Sequence, residues 1–252
     1  MPRTGRNKSK TKIYHLILRG INKQTIFEDD EDRIKFIQTL KECKNRSSME
    51  IFAYCLMSNH IHLLIKEGKE DLGITMRRLG AMYVYWYNWK YDRCGHLFQD
   101  RYKSENVEDR NYLLTVLRYI HQNPIKAGIV NDIKNYRWSS YAEYIGNTGI
   151  TDTSFILSIF SENGSNATER FTEFHKTIQT ENCLEMDESK RIHDEDAKQI
   201  ILRISSINIP SHIQLLDHNT RDEFLKKFKK EGLSTRQIAR LTGIPRGIIL
   251  KA

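Results

Sequence analysis

Two histidines separated by one apolar residue, His60-Ile61-His62, form a pattern typical of a metal-binding strand. Successive side chains of a β-strand alternate between its faces, so both imidazoles point the same way while Ile61 points into the core. Two imidazoles on one face can hold a divalent cation. The same spacing also occurs among histidines that bind no metal, so this motif alone leaves both interpretations open.

A second group of chemically capable residues lies in Tyr119-Ile120-His121-Gln122-Asn123, where a helix is predicted. Residues four apart share a helix face, so Tyr119 and Asn123 would be presented together. A phenol titrates near ~10 and needs a metal that polarises the phosphate it attacks. A metal beside a phenol therefore suggests phosphoryl transfer to tyrosine, although most of the 12 tyrosines must be packing residues.

The donor set predicts Mg²⁺ or Mn²⁺ as the cofactor. Two imidazoles, the amide oxygen of Asn123 and waters suit either ion when phosphate oxygens of the substrate complete the shell. Histidine ligands favour Mn²⁺, whereas availability favours Mg²⁺. The four cysteines form no close pair, so neither a zinc knuckle nor a disulfide framework is indicated.

The elements that must position these residues follow the order β-α-β-β-α-β. Apolar runs predict strands over 12–19, 49–57, 60–66 and 96–107, and helical spacing predicts helices over about 30–40 and 72–89. This order is the split βαβ arrangement of a ferredoxin-like sandwich with an antiparallel sheet. The predicted fold class is therefore α+β, followed by a small all-helical C-terminal region.

A further helix, from about Asp109 to Asn123, is predicted to carry Tyr119 across the exposed end of the sheet. Pro124 disfavours helical geometry at Asn123, so we expect this helix to end there with Tyr119 in its final turn. On the preceding helix an aromatic cluster either packs in the core or stacks unpaired bases: Tyr83, Tyr85, Trp86, Tyr87 and Trp89.

We predict a catalytic domain over 1–145, a helical linker region over 146–215 and a helix-turn-helix segment over 216–252. The last segment has a capping box at Ser234-Thr235-Arg236-Gln237 and a glycine-containing turn before Pro245. Its third helix would display Arg246 and Lys251 to DNA. Many three-helix clusters, however, bind no DNA.

The charge of the chain is uneven. Residues 1–150 hold 25 basic and 17 acidic residues, residues 151–220 hold 6 and 12, and residues 221–252 hold 9 and 3. Two basic regions suggest surfaces that bind a polyanion such as nucleic acid, although a charged, soluble surface explains the excess as well. No apolar run approaches the ~20 residues that cross a bilayer, and the start lacks the apolar core of a signal peptide. We therefore expect a cytoplasmic protein with no membrane partner.

Four blocks carry a specific resemblance: Tyr14 to Gly20, Tyr54 to Leu64, Gly95 to Ser104 and Tyr119 to Gly128. Together they resemble the REP-associated tyrosine transposases, which are single-tyrosine HUH nucleases, over roughly residues 10–145. The resemblance implies that His60 and His62 bind a divalent metal. It also implies that Tyr119 attacks a single-stranded DNA phosphate, forms a 5′-phosphotyrosine link and frees a 3′-hydroxyl.

The resemblance further implies recognition of an imperfect hairpin beside a short guide sequence. Asn123 stands where related insertion-sequence transposases use glutamine as a third ligand, and its side chain is shorter. The partner would be single-stranded or hairpin DNA, bound by a monomer or homodimer. The residues predicted to contact DNA are Arg3, Arg6, Lys12, Arg19, Arg77, Arg78, Arg101, Lys103 and Arg246.

Two alternatives remain open from the sequence. A non-catalytic single-stranded nucleic-acid-binding protein is one, because ferredoxin-like sheets also occur in RNA-binding domains. The chain lacks the paired-aromatic strand motif of those domains, which counts against it. The other is a metallo-nuclease that uses water instead of tyrosine.

Overall fold

The computed structural model describes residues 7–161, 166–177, 183–184 and 194–252. The chain forms two compact units, residues 1–185 and 186–252. The sequence predicts boundaries near residues 145 and 215, whereas the helices between 146 and 177 pack within the first unit.

Within the described residues, four strands form one antiparallel sheet in the order β2-β3-β1-β4. The strands are β1 (Ile13–Arg19), β2 (Glu50–Leu56), β3 (His60–Lys66) and β4 (Lys103–Asn106). This order and the helical connections confirm the predicted ferredoxin-like α+β fold.

Two helices cover one face of the sheet: α1 (Asp30–Ser47) and α2 (Leu72–Lys90). Part of the aromatic cluster of α2 packs in the core, as one of the two sequence interpretations predicts, and part of it is exposed. Tyr83 and Tyr87 are buried in the core, whereas Tyr85 is 79% exposed and Trp89 is 74% exposed. The helix period of 3.6 residues explains the split, because residues two apart lie on different sides.

Strand β4 is shorter than the predicted run over 96–107, and that prediction is wrong for its first half. Before Lys103 the chain makes only an isolated bridge between Gly20 and Phe98. The backbone N–H of Arg101 donates to the Asp100 side chain and not to a neighbouring strand.

Helix α3 (Arg110–Lys126) covers the other face of the sheet and begins at Asp109, whose carboxylate accepts the Tyr112 N–H. The predicted end at Asn123 is wrong, because Pro124 lies inside the helix. A proline removes one N–H but leaves the later donors intact. Here Ala127 N–H donates to Asn123 O, and the buried face of the helix keeps its packing.

Three shorter helices extend the core on the α3 side: α4 (Tyr141–Tyr144), α5 (Thr153–Phe160) and α6 (Ala167–Lys176). Aromatic stacking joins them, with the Tyr144 and Phe171 rings 4.5 Å apart at 13°. The α6 helix also reaches α3, since the Gln122 amide donates to His175 O and Thr177 O.

The second unit has its own apolar core and contains α7 (Asp194–Ser205), α8 (His218–Lys230), α9 (Thr235–Thr242) and α10 (Arg246–Lys251). Ser234 caps α9 as predicted, accepting the Gln237 N–H, and Gly243 ends it at a φ of 75°. Pro245 occupies the N-cap of α10. Across the described ranges we find no helix with the length and apolarity that a membrane span requires.

Candidate metal and tyrosine site

Four side chains that could bind a metal or a phosphate lie on the face of the sheet under α3: His15, Arg19, His60 and His62. In the antiparallel pairing of β1 with β3, Arg19 is opposite His60 and Ile17 is opposite His62. Directly opposed residues of such strands share a face, and alternation adds His15 to it. The intervening Ile61 belongs to the core on the other face, as the sequence predicts.

The two imidazoles of β3 lie side by side, with ring centroids 4.9 Å apart and planes at 82°. His60 Nδ1 lies 2.7 Å from Asn59 Oδ1, and His62 Nδ1 lies 3.2 Å from His15 Nε2. Because Nδ1 of each ring already has a partner, a cation would be met by Nε2, which in His60 is also the nitrogen left for the hydrogen bond with Asn123.

Burial keeps both imidazoles in the neutral form that binds metals. It lowers the pKa of His60 to about 4; the hydrogen bond with Asn123 opposes this shift and the charge of Arg19 adds to it. Burial also lowers the pKa of His62 well below its usual value. Protons therefore do not compete with a metal for these rings at neutral pH.

Tyr119 lies on α3 and packs over His62 and His15. Its ring centroid is 5.5 Å from that of His62 and 5.8 Å from that of His15, with both ring pairs in edge-to-face geometry. The Tyr119 side chain is 4% exposed, and the Lys126 ammonium lies 4.6 Å from its ring centroid. The structure thus brings the phenol ring against the rings of His62 and His15.

Asn123 lies one helical turn after Tyr119 and is buried. Because α3 continues through Pro124 to Lys126, Tyr119 is not in the final turn, contrary to the prediction. The hydrogen bond between the Asn123 side chain and His60 brings a carboxamide to the first metal ligand. The shorter side chain therefore still reaches the histidine pair.

The donor chemistry fits a hard or borderline divalent cation. The described residues include no group of three or more His, Cys, Asp or Glu side chains arranged to hold a metal. A cation here would therefore depend on two imidazoles, one amide oxygen and ligands from solvent or substrate. That set matches Mg²⁺ or Mn²⁺ better than structural zinc.

His15 is the site residue that the sequence prediction misses. Its ring is 0% exposed and stacks on His62 at a centroid distance of 5.4 Å and an angle of 26°. Burial lowers the pKa of His15 to about 3, so the ring is neutral. A histidine inside an apolar strand was the only sequence signal for this residue. The register of β1 with β3, which brings it to His62, depends on residues far apart in the chain and could not be predicted from that signal.

His121 does not belong to this site, although it is near Tyr119 in sequence. It is fully buried on the opposite side of α3, with Nδ1 2.9 Å from His175 Nε2 and Nε2 2.8 Å from Ser140 Oγ. It forms part of the packing between α3 and α6.

The predicted DNA-contacting residues separate into distinct places. Arg19 and Lys103 share the site face, since Lys103 is opposite Ile17 in the pairing of β1 with β4. Lys12, which is exposed, immediately precedes β1, and the exposed Arg101 precedes β4. Arg3 and Arg6 lie outside the described residues.

The remaining predicted contacts lie away from the histidine pair. Arg77 and Arg78 are on α2, which covers the opposite face of the sheet. The Arg78 guanidinium makes a bidentate ion pair with Glu70 at 2.6 and 2.7 Å. Arg246 is exposed at the start of α10 in the second unit, and its Nε donates to Thr235 Oγ1.

The chain is similar in sequence and fold to known proteins. Residues 8–123 match a family model described as "Transposase IS200 like". A Haemophilus influenzae protein provisionally named a REP-associated tyrosine transposase is 26% identical over 119 residues, which is 42% of this chain and 67% of the relative.

A solved structure of a REP-associated tyrosine transposase bound to a REP hairpin has the same fold. It superposes with a TM-score of 0.51 at 16% identity, covering 61% of this chain and 96% of that chain. At this identity the similarity of the two chains shows a common fold.

Proposed function

Because residues 8–123 match the family model of IS200-like transposases, we propose that this chain is a site-specific, metal-dependent single-stranded DNA endonuclease and strand transferase that acts through Tyr119. The observation that carries the proposal is the packing of the Tyr119 ring 5.5 Å from the His62 ring. A phenol packed against an imidazole that binds a metal would allow the nucleophile and the metal to act on the same phosphate group.

The proposed step is a displacement at phosphorus. The Tyr119 oxygen forms a bond to the phosphorus and loses its proton, while the bond from phosphorus to the 3′-oxygen breaks. The leaving 3′-oxygen takes up a proton and becomes a 3′-hydroxyl. The downstream strand remains attached to the protein through a 5′-phosphotyrosine, and attack by another 3′-hydroxyl on that ester transfers the strand.

His60, His62 and Asn123 would hold Mg²⁺ or Mn²⁺ at this site. When bound, the cation would neutralise charge on the phosphate oxygens. Burial keeps both imidazoles neutral, and hydrogen bonds with Asn59 and His15 hold their Nδ1 atoms. They thus orient both rings before the substrate arrives.

Two cations of the chain are positioned to assist the phosphate and the phenol. Arg19, opposite His60, has a buried Nε with no hydrogen-bond partner among the described residues, and we propose that it contacts a DNA phosphate. The ammonium of Lys126 lies over the Tyr119 ring. Its charge favours the negative charge that develops on the phenol oxygen during attack.

The proposed substrate is a hairpin flanked by a single strand. The support is indirect: the solved structure with the same fold is bound to a REP hairpin, and the first 150 residues of this chain carry a net positive charge. The second unit, with its predicted helix-turn-helix, would add a further DNA contact through Arg246.

Cleavage of an end-labelled oligonucleotide tests the proposal against its alternatives. A hairpin with a single-stranded flank is labelled at the 5′ end in one sample and at the 3′ end in another, and incubated with the protein and Mn²⁺. We expect a covalent adduct that carries the 3′ label alone, and no adduct with Tyr119→Phe.

Two other outcomes would contradict it. Cleavage with no adduct would support the metallo-nuclease that uses water. Binding of the oligonucleotide with neither cleavage nor adduct would support the non-catalytic binding protein.

A further inference from the structure

His15 is a buried histidine that the proposed chemistry does not use. Its Nε2 lies 3.2 Å from His62 Nδ1 and its ring stacks on that of His62. Its other nitrogen, Nδ1, is buried and has no hydrogen-bond partner among the residues that the structure describes. The single polar contact of the ring is therefore made to a predicted metal ligand.

Two proton arrangements are compatible with a hydrogen bond between two neutral imidazoles. If His62 Nδ1–H donates to His15 Nε2, the lone pair of His62 Nε2 is available to a cation, and His15 carries its proton on Nδ1. If His15 Nε2–H donates to His62 Nδ1, His62 carries its proton on Nε2 and has no lone pair to give. Only the first arrangement permits metal binding through Nε2.

We infer that His15 is a positioning residue that accepts the His62 Nδ1–H, and thereby fixes the tautomer and the ring orientation in which His62 binds a divalent cation. This inference rests on the proposed metal site. A histidine ligand usually donates its second N–H to a carboxylate, a carbonyl or water. Here a neutral imidazole would take that role, without adding a negative charge to the buried site.

The nearest acidic candidate is already engaged elsewhere. Glu105 is opposite His15 in the pairing of β1 with β4 and therefore shares its face. Its carboxylate instead accepts hydrogen bonds from the Tyr112 hydroxyl and the Leu184 backbone N–H. His15 is thus the acceptor that the fold supplies to His62.

The first test is a Mn²⁺ titration of the full chain, in which free Mn²⁺ is counted by electron paramagnetic resonance. We expect His15→Leu to weaken Mn²⁺ binding about 10- to 100-fold, the usual effect of losing such a partner. His15→Gln, whose amide oxygen can accept the same hydrogen bond, should recover part of the loss. Thermal unfolding of each metal-free variant reports whether it is folded.

His175→Leu is the matched control, because it also removes one ring of a buried histidine pair. His175 Nε2 lies 2.9 Å from His121 Nδ1, on the side of α3 away from the metal site. We expect this variant to lose stability but to bind Mn²⁺ within twofold of the unmodified chain.

Nitrogen NMR of the unmodified protein, labelled with ¹⁵N-histidine, tests the tautomer without a substitution. We expect the His62 proton on Nδ1 and the His15 proton on Nδ1, both in the presence of Mg²⁺. A His62 proton on Nε2 with Mg²⁺ bound would overturn the inference. So would His15→Leu binding Mn²⁺ as tightly as the unmodified chain, or no Mn²⁺ binding by the unmodified chain.

Pulsed electron paramagnetic resonance separates a positioning role from direct ligation. We expect two imidazole nitrogens coupled to Mn²⁺ in both the unmodified chain and His15→Gln. Three in the former and two in the latter would make His15 a ligand and overturn the inference. Failure of the proposed function is distinguishable, since it would appear as normal Mn²⁺ binding without a DNA adduct.

Discussion

At the scale of single residues, the role of Asn123 depends on its contact with His60. The carboxamide is buried and hydrogen-bonded to that imidazole, so its oxygen is close to any cation bound there. We expect Asn123→Ala to weaken Mn²⁺ binding roughly tenfold, and His60→Ala to weaken it more, because an imidazole ligand is lost outright.

Gln122→Ala is the matched control for Asn123→Ala. Its amide is also buried but donates to His175 O and Thr177 O, away from the histidine pair. It should leave Mn²⁺ binding unchanged. Full Mn²⁺ affinity and full adduct formation by Asn123→Ala would remove Asn123 from the metal shell.

The sequence predicts that Arg19 and Arg78 bind DNA, but the two arginines have different surroundings in the fold. Arg19 is opposite His60 with an unpartnered Nε in the described part of the chain, whereas Glu70 neutralises Arg78 on the other side of the sheet. We expect Arg19→Gln to lower both hairpin affinity and the rate of adduct formation. Arg78→Gln should change neither by more than about twofold, since its charge is already paired.

Fluorescence anisotropy of a labelled hairpin and the time course of adduct formation measure these two effects. Equal losses in the two variants would mean that net charge, and not the position of Arg19, controls DNA binding.

At the scale of elements, the contact between α3 and α6 should make the first unit sensitive to acid. Burial lowers the pKa of His175 to about 4, and lowers that of His121 well below its usual value. Above a pH of about 6.5, the pKa of a histidine in the unfolded chain, both imidazoles are uncharged in the folded and in the unfolded state, so they do not make stability depend on pH. Between about pH 6.5 and pH 4 the unfolded chain binds protons that the folded chain does not, so the free energy of unfolding decreases as the pH is lowered.

Chemical unfolding of the full chain at pH values from 7 to 4 measures this effect. We expect the unfolding free energy of the first unit to fall across that window, and the fall to be shallower in His175→Gln by about 1 kcal/mol per pH unit. An identical slope in the two proteins would show that His175 does not carry the predicted proton linkage.

The sequence predicts those elements whose signals are local. Alternation along β3 correctly orients His60 and His62, and the Ser234 capping box correctly locates the start of α9. The end of α3 at Asn123 is wrong because the packing of its buried face outweighs the local cost of Pro124.

The rest depends on contacts between distant parts of the chain. His15 meets His62 only through the register of β1 with β3. Similarly, the loss of the first half of β4 reflects the pairing available at the sheet edge, which no local pattern specifies. The side-by-side placement of His60 and His62 could thus be predicted from the sequence, whereas the contact of His15 with His62 could not.

At the scale of the whole molecule, the chain combines the unit that holds the histidines and Tyr119 with a second, basic helical unit. Arg246 is exposed at the start of α10, where a predicted helix-turn-helix would meet duplex DNA. We expect Arg246→Ala to weaken hairpin binding and to reduce the slope of log affinity against log salt by about 1. The adduct rate at saturating hairpin should be unchanged.

Arg221→Ala is the control for charge removal in the same unit, because Arg221 is paired with its neighbour Asp222. An unchanged salt slope in Arg246→Ala would exclude a phosphate contact by that residue. A slower adduct rate at saturation would instead connect the second unit to the chemistry.

Identification of the amino acid that carries the DNA tests the central claim most directly. Trypsin cleaves after Arg118 and Lys126, so Tyr119 is the single tyrosine of the peptide from 119 to 126. After reaction with Mn²⁺ and the hairpin, and nuclease trimming of the bound strand, mass spectrometry should find a 5′-nucleotide phosphate on this peptide at Tyr119. A nucleotide on any other residue, or cleaved DNA with every peptide unmodified, would contradict the account.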